Sequence, residues 1–196
     1  MSVLLSLSHL EFAYPSAAGN LFHELTLDFP RSWTGIVGSN GSGKTTLLKL
    51  LCGHLAPDGG FIRRNGTSLL CEQEIDVAPG GADELFSSCD ARAFRLREAL
   101  RITPDMPGRW TTLSMGERKK IQIAVALFRR PDILCIDEPT NHLDAAARGQ
   151  LFRELEQFRG IGILVSHDRE LLDILCGQCL FLSPERAVLR PGGVTA

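Results

Sequence analysis

Nine residues constrain this chain more than any others: Gly38, Ser39, Asn40, Gly41, Ser42, Gly43, Lys44, Thr45 and Thr46. They stand between an apolar run, Trp33–Val37, and a leucine-rich one carrying Leu47, Leu48, Leu50 and Leu51. Gly38, Gly43, Lys44 and Thr45 fit the pattern G-x-x-x-x-G-K-[ST]. The short run before the loop has strand character, and residues 45–52 have the wide apolar face of a helix. Glycines let such a loop turn successive N–H groups inward around an anion. The helix that follows adds the positive end of its dipole. Lys44 then sets a point charge on the outer phosphates of ATP, and the Thr45 hydroxyl ligates Mg²⁺. A strand leading directly into a loop and helix also starts an α/β fold.

The rest of the chain extends that alternation. Val3–Leu7 and Leu25–Phe29 read as early strands, Asp58-Gly59-Gly60 as a turn and Ser68–Cys71 as a buried strand. From Ala82 to Leu100 charges interleave with Ala and Leu, as in an amphipathic helix, and residues 103–109 hold two prolines and a glycine, as in a loop. Residues 117–128 predict a helix with Ile121, Ala124, Val125 and Phe128 on one stripe. Ile133–Ile136 and Ile161–Val165 are fully apolar strands of the sort buried in a parallel sheet, separated by a helix over 145–158 and followed by one over 169–175. The expectation is a single domain over 1–196, with a mostly parallel core sheet built from about 1–77 and 129–196. An N-terminal β region precedes that sheet, and a helical subdomain at about 78–128 is inserted into it.

Charge and cysteine content narrow the classes. A net charge of -2 gives no basic field for direct DNA binding. No apolar run is long enough to span a bilayer, and the N-terminal residues carry no basic segment of a signal peptide. Four of the six cysteines lie in apolar runs, as buried thiols do, and Cys176-Gly-Gln-Cys179 lacks the second pair a metal site needs. Free thiols and a reducing cytoplasmic setting are expected.

Asp137-Glu138 closes the strand 133–136. If that strand neighbours the one before the loop, Asp137 sits beside the phosphates and holds Mg²⁺, and Glu138 polarises an attacking water. Two acids there would also suit the start of a helix.

Together these segments resemble the ATP-binding-cassette (ABC) ATPases, P-loop NTPases. Leu113-Ser-Met-Gly-Glu117 stands about twenty residues before Asp137-Glu-Pro-Thr140, like the signature and Walker-B segments. Gln73 matches the Q-loop glutamine that contacts Mg²⁺ and water, Leu143-Asp144 the D-loop, and His167 the switch histidine. Tyr14, the only tyrosine, matches the aromatic that stacks on adenine; its alternative is a core or rim position. The resemblance implies an antiparallel β region at the N-terminus and catalysis by Glu138, His167 and Gln73. It places metal contacts at Thr45, Gln73 and Asp137, and a signature of Ser114, Gly116 and Glu117 that meets ATP on a second cassette. Met115 and Glu117 depart from Leu-Ser-Gly-Gly-Gln. Met115 puts a side chain where the approach is close, which implies slower closure. Ser114 with Glu117 also fits a capping box.

Asp137-Glu-Pro-Thr-Asn-His-Leu-Asp144 and Ser166-His-Asp-Arg-Glu170 further resemble the ABC-F subfamily. So do the 28 residues between Lys44 and Gln73 and the 40 between Gln73 and Ser114. That resemblance implies a soluble ATPase with two cassettes in one chain, acting on ribosomes. The second cassette is then a missing domain or a copy of this chain. The alternatives are a membrane permease as partner, or an ATP-binding switch with little turnover.

Overall fold

The computed structural model describes residues 3–15, 19–183 and 186–195; Met1 and Ser2, part of the run read for a signal peptide, lie outside them. Two sheets share the chain. Strands β1 (Leu5–Phe12), β2 (Phe22–Asp28) and β4 (Gly59–Arg64) form a small antiparallel sheet in the order β2-β1-β4. The larger sheet takes β3 (Trp33–Gly38), β5 (Ser68–Cys71), β6 (Ile133–Asp137), β7 (Ile161–Val165), β8 (Cys176–Leu182) and β9 (Ala187–Pro191) in the order β5-β6-β7-β3-β8-β9. Every pair in it is parallel except β8–β9. Strands β6 and β7 are buried along their whole length, which explains their unbroken apolar sequences.

Helix α1 (Lys44–Cys52) lies between the two sheets. Its Leu47, Leu48, Leu50 and Leu51 meet Leu5, Leu7 and Leu10 of β1 and Ile133, Cys135, Ile161 and Ile163 of the large sheet. The opposite face of that sheet packs on α2 (Ala82–Ser87), α3 (Ala91–Ala99), α4 (Met115–Arg129), α5 (Ala145–Leu155) and α6 (Arg169–Leu175) through a second cluster. In chain order α2, α3 and α4 fall between β5 and β6. No helix among the described residues is long and apolar enough to cross a membrane.

Several expected boundaries change, each for a local reason. The helix expected over 82–100 is two helices, because Asp90 takes an extended backbone and accepts the Arg92 N–H as the cap of α3 at 2.8 Å. The loop at 103–109 runs into a 3₁₀ helix over Pro107–Thr112 whose Trp110 is buried. The turn at 58–60 opens strand β4: Gly60 sits at φ 70°, and a Cβ there would stand 2.1 Å from the His9 carbonyl oxygen of β1, so the ladder tolerates only glycine. Strands β8 and β9 lack the alternation that would have marked them. A register shift in β8 turns Cys176 and Cys179 to the same core. All six cysteines are free, and five are buried.

Candidate active site

Where the parallel strands end, their loops enclose a cavity of about 620 Å³, within the usual range of small-ligand sites. It is lined by Tyr14, Asn40, Gly41, Gly43, Lys44, Thr45, Thr46, Gln73, Asp137, Glu138 and His167, which brings together most residues singled out by sequence. Leu21, Asn141 and Val165 also line it. Gly38, Ser39 and Ser42 do not. Gly38 lies against the Leu182 carbonyl, where a Cβ would come within 2.3 Å, and Ser42 is buried beneath the loop. These two shape the loop from behind.

Lys44 Nζ donates to the carbonyls of Gly38 at 2.8 Å and Ser39 at 2.9 Å, so the loop positions its own cation. The strand that Asp137-Glu138 closes does not adjoin the one before the phosphate loop, the condition on which the sequence placed Asp137. Strand β7 runs between β3 and β6. The Thr45 hydroxyl nonetheless donates to Asp137 Oδ2 at 2.6 Å. The reach is made by α1, which leaves β3 and packs across the sheet onto β6. Thr45, Asp137 and the nearby Gln73 are oxygen donors of the kind a hard cation takes, and Mg²⁺ needs few of them because it keeps waters and phosphate oxygens. The residues therefore fit the ion.

Glu138 is the most strained member. It follows the last residue of β6 at φ 47°, a left-handed conformation uncommon outside glycine. Its N–H donates to the Val165 carbonyl at 2.9 Å, so the turn is held by β7. The residue is 5% exposed, and Oε1 is buried without a hydrogen-bond partner. The nearest cation-capable group, His167 Nε2, is 3.5 Å away, while the His167 N–H donates to Oε2 at 3.3 Å. Burial pushes the Glu138 carboxyl above its ordinary range, with Asp137 adding to it, while His167 and Lys44 oppose it.

Tyr14 stands at the rim, 41% exposed, edge-on to Phe12, with its hydroxyl 3.0 Å from Thr46 Oγ1. The signature residues lie outside the cavity lining. Helix α4 starts at Met115, two residues earlier than the sequence suggested, behind a full capping box. Glu117 accepts from the Ser114 N–H at 2.8 Å and from its hydroxyl at 2.7 Å, which holds its carboxyl below the usual range. Gly116 packs on the segment after β6, where a Cβ would stand 2.6 Å from the His142 carbonyl oxygen. Met115 points outward, 37% exposed.

Sequence reasoning missed Lys119. It is 3% exposed, and its ammonium donates to the carbonyls of Glu72 at 2.6 Å and Asp137 at 3.1 Å and to Gln122 Oε1 at 3.3 Å. Burial lowers its proton affinity. One cation thus ties the signature helix, the segment before Gln73 and the end of β6. The available signal was Lys119 and Gln122 at i, i+3 on a helix that is otherwise apolar from Ile121 to Phe128.

Known proteins resemble the chain in sequence and in fold. The family model described as "ABC transporter" matches residues 22–141, more than half the chain. The chain therefore belongs to the ABC transporter ATP-binding family. It is 31% identical over 201 residues to the energy-dependent translational throttle protein EttA of Mycobacterium tuberculosis, covering 91% of this chain and 34% of that protein. It is 35% identical over 156 residues to the ribosome protection protein VmlR of Bacillus subtilis, covering 76% and 28%. With the ATP-binding protein Uup of Caulobacter vibrioides it shares 36% over 177 residues, covering 82% and 29%. The chain spans about a third of the length of these relatives. Among solved structures, an ATP-binding subunit of an ABC transporter superposes with a TM-score of 0.79 at 21% identity, over 96% of this chain and 90% of that one.

Proposed function

We propose that this chain is one cassette of an ABC-F-type ATPase that acts in the cytoplasm on the ribosome and hydrolyses ATP only when joined to a second cassette. The observation that carries the catalytic half of this reading is Glu138: a buried carboxylate on a residue that lines the cavity, with one oxygen unpartnered, in a strained turn held by β7. Strain of this kind persists where the surrounding fold enforces it, and it concentrates at functional sites.

In this reading the loop N–H groups and Lys44 hold the phosphates, Tyr14 stacks on the adenine, and Thr45, Asp137 and Gln73 hold Mg²⁺, which supplies charge neutralisation on the transferring phosphoryl group. Glu138 orients the attacking water and accepts its proton, the raised proton affinity suiting a base. His167 sits across the cavity mouth, where its imidazole can donate to the outer phosphate. The donor set facing the phosphates is incomplete without Ser114 and the start of α4 from another cassette. The ribosomal part of the proposal draws on the names of two of the three relatives above, a translational throttle protein and a ribosome protection protein. A membrane permease as partner draws only on a likeness of fold.

Two measurements test this. ATP hydrolysis per molecule should rise with protein concentration, or on adding the second cassette; a rate independent of both overturns the paired-cassette reading. Cosedimentation with ribosomes in the presence of ATP should appear in Glu138→Gln, and its absence there removes the ribosome from the proposal.

A further inference from the structure

At the far end of the large sheet from the nucleotide cavity lies a second pocket, of about 220 Å³. It is walled by Arg31 before β3, Arg130 and Asp132 before β6, Arg159 before β7 and Arg92 on α3, over a floor that includes Phe158. Strand β3 has six residues, so the two cavities are separated by about 20 Å of strand at ~3.3 Å per residue. Four guanidiniums meeting in a chain of net charge -2 is not a product of composition.

The acids nearby are already engaged. Asp132 Oδ2 accepts the Thr67 N–H at 2.8 Å and its hydroxyl at 3.0 Å. Glu154 pairs with Arg95 at 3.1 Å, and Asp90 caps its own helix through the Arg92 N–H. Among the described residues none of the four arginines forms an ion pair with a carboxylate. Burial, then the neighbouring Arg130 and Arg95, lowers the proton affinity of Arg92, while Glu154 and Asp90 oppose that shift.

A plainer role exists: the arginines answer exposed carbonyls where chain segments end. Arg92 donates to the Leu127 carbonyl at 2.7 Å, Arg31 to that of Arg159 at 3.1 Å, and Arg159 to that of Glu156 at 2.9 Å. Each of these uses one N–H of the five a guanidinium carries. Two helix ends supply about half a negative charge each, and Asp132 one more. Among the side chains lining the pocket, one carboxylate, Asp132, stands against four guanidiniums, with Glu154 and Asp90 acting on Arg92 from outside it. Arg92 Nε is in addition buried with no partner. Forked donors converging with surplus charge match the oxygens of a phosphate.

We propose that this pocket is a second anion site, separate from the nucleotide cavity, which takes the phosphate of a phosphate ester, whether a small phosphorylated molecule or the backbone of RNA. The test uses the whole chain with its nucleotide cavity filled by a non-hydrolysable ATP analogue and Mg²⁺. Inorganic phosphate is titrated by ³¹P NMR, and a short single-stranded RNA by fluorescence anisotropy. Arg130→Gln/Arg159→Gln, both at exposed positions, should weaken binding about tenfold or more, while Arg153→Gln on α5 should leave it unchanged. The thermal midpoint of each variant checks that the fold is intact. Loss for phosphate alone assigns the site to a small ester. Loss for RNA, with a salt slope reduced by about one per contact removed, assigns it to RNA backbone. If neither probe binds, or both bind the double variant as well as the parent, the proposal is overturned.

Discussion

The two motif-bearing regions of this cassette treat their polar groups in opposite ways. Around the phosphate loop the fold holds charge in reserve: Glu138 has an oxygen with no partner, and Lys44 rests only on two loop carbonyls. At the start of α4 the groups are satisfied. Ser114 and Glu117 close on each other, and Gly116 is packed against the His142 carbonyl. A buried carboxylate without a partner is destabilising, so the fold retains it only where something else will meet it. The signature, by contrast, already has a stabilising role inside its own chain. Its residue types are therefore explained twice, by helix capping and by any contact with a second cassette. Those of the phosphate loop are explained once.

The contrast can be broken most sharply at Glu138. Glu138→Gln keeps the shape and removes the base, so turnover by paired cassettes should fall by about 10²–10⁴-fold while ATP affinity is retained. Unchanged turnover would take Glu138 out of the reaction. Lys119→Ala should come next. It leaves the buried Asp137 carbonyl, and the partly buried Glu72 carbonyl, without their donor, at a cost of about 1–3 kcal/mol, read by urea unfolding. Turnover should drop as well, because the segments bearing Gln73 and Glu138 lose their common tie.

Gly116→Ala probes the packed half. Its Cβ must displace the His142 carbonyl, so a loss of about 1–3 kcal/mol is expected from overpacking alone, in the chain without a partner. A stability equal to the parent's would leave only contact with another cassette to explain this glycine. Ser114→Ala should cost about 1 kcal/mol through the lost cap. The Glu117 carboxyl is held low by Ser114, so that loss should be full above the ordinary glutamate range and fade as pH falls below it.

The smallest effect concerns Glu138 and pH. Its carboxyl is raised by burial, so the folded state binds the proton more tightly than the unfolded chain does. Stability should therefore decline as pH rises from the ordinary glutamate value to the raised one. Glu138→Gln should remove that decline and leave the variant slightly more stable at neutral pH. Thermal midpoints across pH measure it; a decline of the same size in the variant would assign it to another group.

Much of this was open to a reader of the sequence, and the reasons differ by region. The phosphate loop was legible because its constraints are local: glycines for the turn, a lysine and a threonine at fixed offsets, a strand before and a helix after. The central strands were legible because full burial leaves a continuous apolar run. Strands β8 and β9 were not, since a register shift breaks the pattern of β8 and the edge strand β9 needs none. The break at Asp90 was hidden because a capping aspartate resembles any surface acid until its N–H partner is seen.

The sequence by itself determined the nucleotide-binding loop, the acids that close β6, the alternation of strands and helices and the family. These rest on neighbours in the chain, so short-range pattern carries them. Tertiary structure alone decided that β7 separates β3 from β6 and that α1 carries Thr45 across to Asp137. It alone decided that Lys119 ties three segments, and that four arginines far apart in sequence share one pocket. Those facts depend on strand order and packing, which bring together residues that no spacing along the chain relates.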